Sequence, residues 1–207
     1  MNNKKIKEQF SGAKMERLQR SGVRDSSVLI PLVERQGEAN ILFEVRSKNI
    51  AQGGEICFPG GRVEAGEAPQ QTAVRETAEE LAIAETQITV IAPLFELIGP
   101  GGGSVYAYLG ELTDYQDTFS TSEVGRIFLM PIQDLLSMQP RTHDDHMAVS
   151  LAEDFPYELI PHGRNYPFHQ IPRRFYFYET KYGVIWGLTG ELLYRFLGRM
   201  GEDGVGR

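Results

Sequence analysis

Apolar residues alternate with polar ones every second position in several short runs of this chain, and recur every third or fourth position in others. The first spacing fits strands half-buried in a sheet, and the second fits helices with one buried face. Residues 27–33 (SVLIPLV) and 40–46 (NILFEVR) read as two strands. The ERQGEA between them reads as a hairpin turn in which Gly37 supplies backbone freedom. Residues 55–58 make a short strand that stops at Pro59-Gly60-Gly61. A helix follows, with Pro69 in its first turn, where a missing N–H costs nothing. Beyond it, residues 88–98 and 105–112 read as strands on either side of a flexible GPGGGS loop. A further strand falls within 123–130, and a short helix at 132–137. Residues 139–172 look irregular. Residues 175–178 and 183–186 form a last hairpin, and 188–200 a helix with Leu192, Leu193, Phe196 and Leu197 at core spacing. At the other end, residues 4–20 form a short amphipathic helix that buries Ile6, Phe10 and Met15 or Leu18. Strands on both sides of a central helix, with another helix at the end, predict a layered α/β architecture.

The central helix, TAVRETAEELAI, carries the chemistry. Successive helical residues advance by about 100°, so Glu76, Glu79 and Glu80 share one sector, while Val74, Thr77, Ala78 and Leu81 face a core. Carboxylates roughly 6 Å apart in an effective dielectric of about 20 repel by about 3 kcal/mol per pair before screening. A divalent cation removes that repulsion, and hard oxygen ligands suit Mg²⁺ or Mn²⁺. Such a site points to phosphate chemistry.

The same residues carry a family resemblance. From Gly61 the chain runs five residues to Glu67, then seven to Arg75-Glu76, then through Thr77 and Ala78 to Glu79-Glu80, and ends on Ala82-Ile83. This spacing resembles the signature of the Nudix hydrolases. Two positions depart from it. Thr77 stands where a bulky apolar residue is usual, and packs through its methyl group. Ala82 replaces a glycine, which predicts a helix end that needs no positive φ. The resemblance implies a Nudix fold, a mixed β-sheet sandwiched between helices (α/β/α) with the signature as loop–helix–loop. It divides the chain into an N-terminal helical extension (1–22), a Nudix hydrolase domain (23–200) and a flexible tail (201–207).

The resemblance also implies roles. Glu76 and Glu80, one turn apart, are the principal metal ligands, with the backbone carbonyl of Gly60 as a further ligand. Glu79 is either a ligand or the group that takes a proton from water. Arg75 pairs with a helix carboxylate and orients it, because its guanidinium is a planar fork of donors. Glu67 steadies the entry to the helix. A catalytic base outside the signature is expected at Glu123, with Asp144 and Asp145 as alternatives. His143 and His146 flank those aspartates on what reads as a solvated loop. Cys57 reads as a small buried residue rather than a nucleophile.

Composition narrows the partners. The net charge is -7 over 207 residues, which argues against nonspecific nucleic-acid binding. One cysteine excludes an internal disulfide and fits a cytoplasmic setting. The charged N-terminus has no apolar core of the kind a secretory signal needs, and no apolar run is long enough to span a bilayer. A small nucleotide derivative is the expected partner. The resemblance also admits a homodimer, with the N-terminal helix as an interface.

The block LFEVRSKNIAQGGEICFPGG narrows the substrate. Arg46-Ser47, Gly54 and Phe58-Pro59-Gly60-Gly61 resemble the motif of the coenzyme A diphosphatase subgroup, as does VIWGLTGELL near the C-terminus. That likeness implies cleavage of coenzyme A or an acyl-coenzyme A to a phosphopantetheine and adenosine 3′,5′-bisphosphate. Arg46, Ser47, Lys48 and Gly61 are then the substrate contacts. Here Gln52 stands where the subgroup carries a basic residue, and Glu44 replaces a threonine. The alternatives are hydrolysis of ADP-ribose, a dinucleotide or a nucleoside triphosphate, and a binding module without catalysis. In the aromatic run FYFY (175–178), with Trp186 on the partner strand, one face packs in the core and the other is free to stack on a base.

Overall fold

The computed structural model describes residues 22–99 and 102–200. The expected N-terminal helix, the tail and the middle of the GPGGGS loop lie outside the described residues. Strand β1 (Ser26–Arg35) turns back into β2 (Glu38–Arg46) through Gln36 and Gly37, both left-handed, with φ 55° and 78°. Two left-handed residues in a row match the twist of a tight hairpin. Strand β3 (Ile56–Cys57) and β7 (Val124–Pro131) both pair with β2, and β4 (Gly60–Arg62) pairs with the start of β1. Strand β6 (Ser104–Leu112) runs parallel to β1 and antiparallel to β5 (Ile88–Ile98). The result is a mixed seven-stranded sheet.

A core lies on each face of this sheet. On one, helix α1 (Pro69–Leu81) buries Ala78 and Leu81 against Leu29, Val33 and Leu42. On the other, α2 (Ile132–Ser137) and α3 (Gly187–Met200) bury Leu135, Leu192, Leu193 and Phe196 against Ile30, Ile41 and Phe43. This is the expected α/β/α sandwich. Phe43 stacks between Phe58 and Phe128, with ring centroids 5.0 and 5.4 Å apart. That stack fixes the chain just before Pro59-Gly60-Gly61. No helix among the described residues is long and apolar enough to cross a membrane.

The stretch expected to be irregular contains strand β8 (Arg141–Met147). It pairs with β9 (Ile171–Thr180), which pairs with β10 (Gly183–Ile185), forming a second, three-stranded sheet. His143, Asp144, Asp145 and His146 therefore lie on a strand rather than a loop. The aromatic run divides as its alternation predicts. Tyr178 is buried and Tyr176 stacks on Tyr194, while Phe177 lies parallel to a half-exposed Trp186.

The end of α1 corrects the reading of Ala82. It adopts φ 53° and ψ 48°, a left-handed conformation. Its N–H bonds to Glu79 O, and Ile83 N–H reaches back to Ala78 O at 3.0 Å, which closes the helix with the geometry that glycine usually serves. An L-residue here is strained by about 1–2 kcal/mol, and glycine loses about 0.5–1 kcal/mol more chain entropy on folding. Ala82→Gly should therefore stabilise the protein by roughly 0.5–1 kcal/mol. Thermal unfolding checks this as a rise in Tm of roughly 1–4 °C.

Candidate functional site

Helix α1 crosses β1 and β4, so the residues on its underside meet the Gly60-Gly61 segment. Thr77 is fully buried and its hydroxyl donates to Ala73 O at 2.6 Å, so the departure at this position costs no unsatisfied group. The three carboxylates expected on one ridge are graded in depth. Glu80 is 4% exposed, the Glu76 side chain 17% and Glu79 62%. Their sector thus runs from the sheet out to solvent.

The deepest carboxylate meets the backbone, and the two outer ones share Arg75. Glu80 Oε2 accepts the Gly60 N–H at 2.8 Å. Glu76 Oε1 lies 2.9 Å from Arg75 Nη1, and Glu79 Oε2 lies 3.5 Å from the same nitrogen. Arg75 gives its other donors to Glu67, with Nε on Oε1 at 3.0 Å and Nη2 on Oε2 at 3.1 Å. Glu67 also accepts from Thr72 Oγ1 at 2.7 Å and from the Glu64 N–H. It therefore braces the helix entry, as expected. Arg75 holds the Glu67 carboxyl well below the usual range, at about 2.

The two glycines are required by close approach. A Cβ on Gly61 would clash with the Glu76 carboxyl group. Gly60 has φ 153°, and a Cβ there would press on Ser27 O and the Val28 backbone. The Gly60-Gly61 segment is thus a cradle fitted under two acidic side chains.

Strand β2 adds a group not predicted for the site. Glu44 is 1% exposed on the α1 side of the sheet, opposite Cys57 in the strand register. The Cys57 thiol donates to Glu44 Oε1 at 3.2 Å, while Oε2 has no hydrogen-bond partner. The signal was in the sequence: ILFEV puts a charge at an inward position of an otherwise apolar run.

Burial raises the Glu80 carboxyl most, and the charge of Glu44 raises it further; the Gly60 N–H works in the opposite direction. Burial likewise raises Glu44, against the Cys57 hydrogen bond. Glu76 is raised by burial against the pull of Arg75. Burial also pushes the Cys57 thiol up, with the Glu44 charge adding to it, so this cysteine is not an activated nucleophile.

Glu123 sits one residue before β7 and is exposed. Its carbonyl accepts Ser47 N–H at 2.7 Å, and its charge bears on Glu44, Glu76 and Glu80. The loop leading to it is tied to the end of α1: Ser120 N–H bonds to Glu80 O, and Thr118 Oγ1 to Leu81 O at 2.7 Å. Arg46 and Ser47 close β2 at the same place. Arg46 turns its Nε to Ala51 O, Ser47 is buried, and Lys48 lies exposed in the turn that follows. Asp144 and Asp145 stand apart on the second sheet. Asp144 is gripped by Arg174 at 2.6 and 2.8 Å, and every polar residue of that strand is exposed.

Among the described residues, no three His, Cys, Asp or Glu side chains converge on one point as they stand. The donor chemistry nevertheless fits a divalent cation. Glu44, Glu76 and Glu80 are hard oxygen donors largely held out of water; Glu80 is repelled by each of the other two, and one Glu44 oxygen is orphaned. Arg75 is committed to Glu67 and Glu76.

A NUDIX domain model matches residues 23–153. A Caenorhabditis elegans protein named Nudix hydrolase 3 is 30% identical over 185 residues, covering 86% of this chain and 73% of its own. The mouse peroxisomal coenzyme A diphosphatase NUDT7 is 32% identical over 132 residues, covering 62% of this chain and 55% of its own. A solved Nudix hydrolase of M. smegmatis, RenU, aligns over 54% of this chain and 72% of its own, at 22% identity and a TM-score of 0.47.

Proposed function

This chain belongs to the Nudix hydrolase family, and from that premise we propose that it hydrolyses the diphosphate of coenzyme A or an acyl-coenzyme A. The observation that carries the metal-dependent part is the nesting of Glu76 and Glu80 over the Gly60-Gly61 cradle. Glu76 and Glu80 would hold Mg²⁺ or Mn²⁺, with the Gly60 carbonyl as a further ligand and Glu79 either as another ligand or as the group that takes the water's proton. When bound, the ion neutralises phosphate oxygens and acidifies water. Arg75 fixes Glu76 by the same guanidinium that braces Glu67. Glu123, or else Glu79, accepts the proton of the attacking water. Both are exposed carboxylates beside the buried ones, free to accept it and release it to solvent. Water adds to phosphorus, the anhydride P–O bond breaks, and the bridging oxygen leaves with the second phosphate.

Two things support the coenzyme A reading. The block from Arg46 to Gly61 folds back on itself beside Glu123, with Gly54 N–H bonded to Arg46 O; Arg46 gives its Nε to Ala51 O, and its terminal nitrogens and the exposed Lys48 are the groups to meet a phosphate. The relative NUDT7 is named for the same activity. Purified protein with Mg²⁺ or Mn²⁺ should be offered coenzyme A, dephospho-coenzyme A, ADP-ribose, NADH and nucleoside triphosphates, with products read by mass spectrometry. Coenzyme A should be cleaved fastest, and Arg46→Ala should raise its KM without raising that of the dephospho form. Faster turnover of ADP-ribose or a dinucleotide would transfer the assignment to those substrates.

A further inference from the structure

Alternation along β2 sends Ile41 and Phe43 into the core under α3, and Leu42 and Glu44 toward α1. Leu42 is what such a position calls for. Glu44 is not, because a carboxylate taken out of water is tolerated only with partners that replace its hydration. Its Oε1 has the weak Cys57 thiol donor. Its Oε2 is the one buried side-chain oxygen or nitrogen among the described residues that has no hydrogen-bond partner. The other buried polar groups nearby are satisfied: Thr77 by Ala73 O, Asn40 by Val33 O and Glu38 O, and Glu80 by the Gly60 N–H.

The charges facing Glu44 are mostly of its own sign. Glu80 on α1 and Glu123 before β7 are acidic, and Arg46, two residues along, spends its Nε on Ala51 O. A neutral residue of this size would bury with none of that repulsion. An orphaned buried oxygen, on a carboxylate close enough to repel Glu80 of the helix, marks a missing partner. The partner must be positive, compact and content with oxygen ligands, which describes a hard divalent cation.

We propose that Glu44 is a further ligand of the ion site, offering its unpaired oxygen from the sheet, opposite the helix carboxylates Glu76 and Glu80. The proposal rests on the metal-site reading above. Cys57 then acts as a positioning residue, since its thiol holds one Glu44 oxygen and leaves the other free.

The test uses the full chain with Mn²⁺ alone. Electron paramagnetic resonance counts free and bound Mn²⁺, and thermal unfolding is followed with and without the ion. Wild type should bind saturably and gain Tm. Glu44→Gln and Glu44→Thr should each weaken Mn²⁺ by about tenfold or more, while Glu44→Asp, which keeps the carboxylate, should retain part of the affinity. Without the ion, Glu44→Gln should melt no lower than wild type. If wild type binds Mn²⁺ and the Gln and Thr variants bind it equally well, Glu44 is a structural residue and the proposal falls alone. If wild type binds no Mn²⁺, the metal-site reading falls and takes this proposal with it. Should Glu44→Gln fail to fold, Glu44→Thr, smaller and able to donate through its hydroxyl, decides between the same outcomes.

Discussion

Glu80→Gln should reduce metal-supported turnover by roughly 10²–10³-fold, the loss typical of removing one group that stabilises charge in a transition state. The fold should survive. Glutamine keeps an oxygen for the Gly60 N–H, now bonded to Glu80 at 2.8 Å, and fills the same space under α1. The metal-free variant should in fact be more stable than wild type at neutral pH and above. Burial and the Glu44 charge raise the Glu80 carboxyl above its ordinary 4.5. The unfolded chain therefore gives up this proton near pH 4.5, while the folded chain keeps it to higher pH. Between those two points the folded state holds more protons, so stability falls as pH rises. Wild type and variant should have similar unfolding free energies below about pH 4.5 and diverge above it. Turnover assays at saturating Mn²⁺, paired with urea unfolding in a chelator across pH, read both halves. A variant that keeps full turnover, or a stability gap that widens toward acid, would contradict the role given to Glu80.

The second large effect separates two adjacent glycines. Gly60→Ala should cost roughly 3 kcal/mol or more, because it combines backbone strain with overpacking. Its φ of 153° suits glycine, and the new Cβ would meet backbone atoms of Ser27 and Val28, which cannot move without breaking the pairing of β4 with β1. Gly61→Ala should cost much less, on the order of 1 kcal/mol, since the atoms nearest its Cβ would be the movable end of the Glu76 side chain rather than backbone. That end is the part proposed above to hold the ion. Displaced Glu76 can no longer serve the ion, so turnover should fall roughly 10²-fold while the protein stays folded. Urea unfolding and turnover on both variants give opposite rankings if this is right. A Gly61→Ala enzyme with wild-type kcat and KM would mean that Glu76 needs no fixed place.

Much of this was legible in the sequence because it is local. Helix α1, its Pro69 start and the sharing of one sector by Glu76, Glu79 and Glu80 follow from spacing alone, and the residues of the resemblance named the sandwich. Spacing did not reveal depth. A sector about 100° wide reaches from the sheet to solvent, so Glu80 is buried while Glu79 is exposed. Ala82 misled because side-chain identity suggested ordinary backbone, whereas the Ile83 N–H bond to Ala78 O demands a left-handed residue between them. Strand β8 was invisible because its partner, β9, follows a long excursion, with Asp144 meeting Arg174 30 residues away. A polar strand such as RTHDDHM has no apolar alternation of its own to announce it. Glu44 was readable as an anomaly in ILFEV, but its meaning depends on what α1 places above it.

Titration calorimetry of Mg²⁺ and Mn²⁺ into metal-free protein tests the central claim most directly, with Glu76→Gln/Glu80→Gln as the comparison. Wild type should bind the ion saturably and the double variant should not. A wild-type titration showing only heats of dilution, or undiminished binding by the double variant, would contradict a cation site built on these two carboxylates.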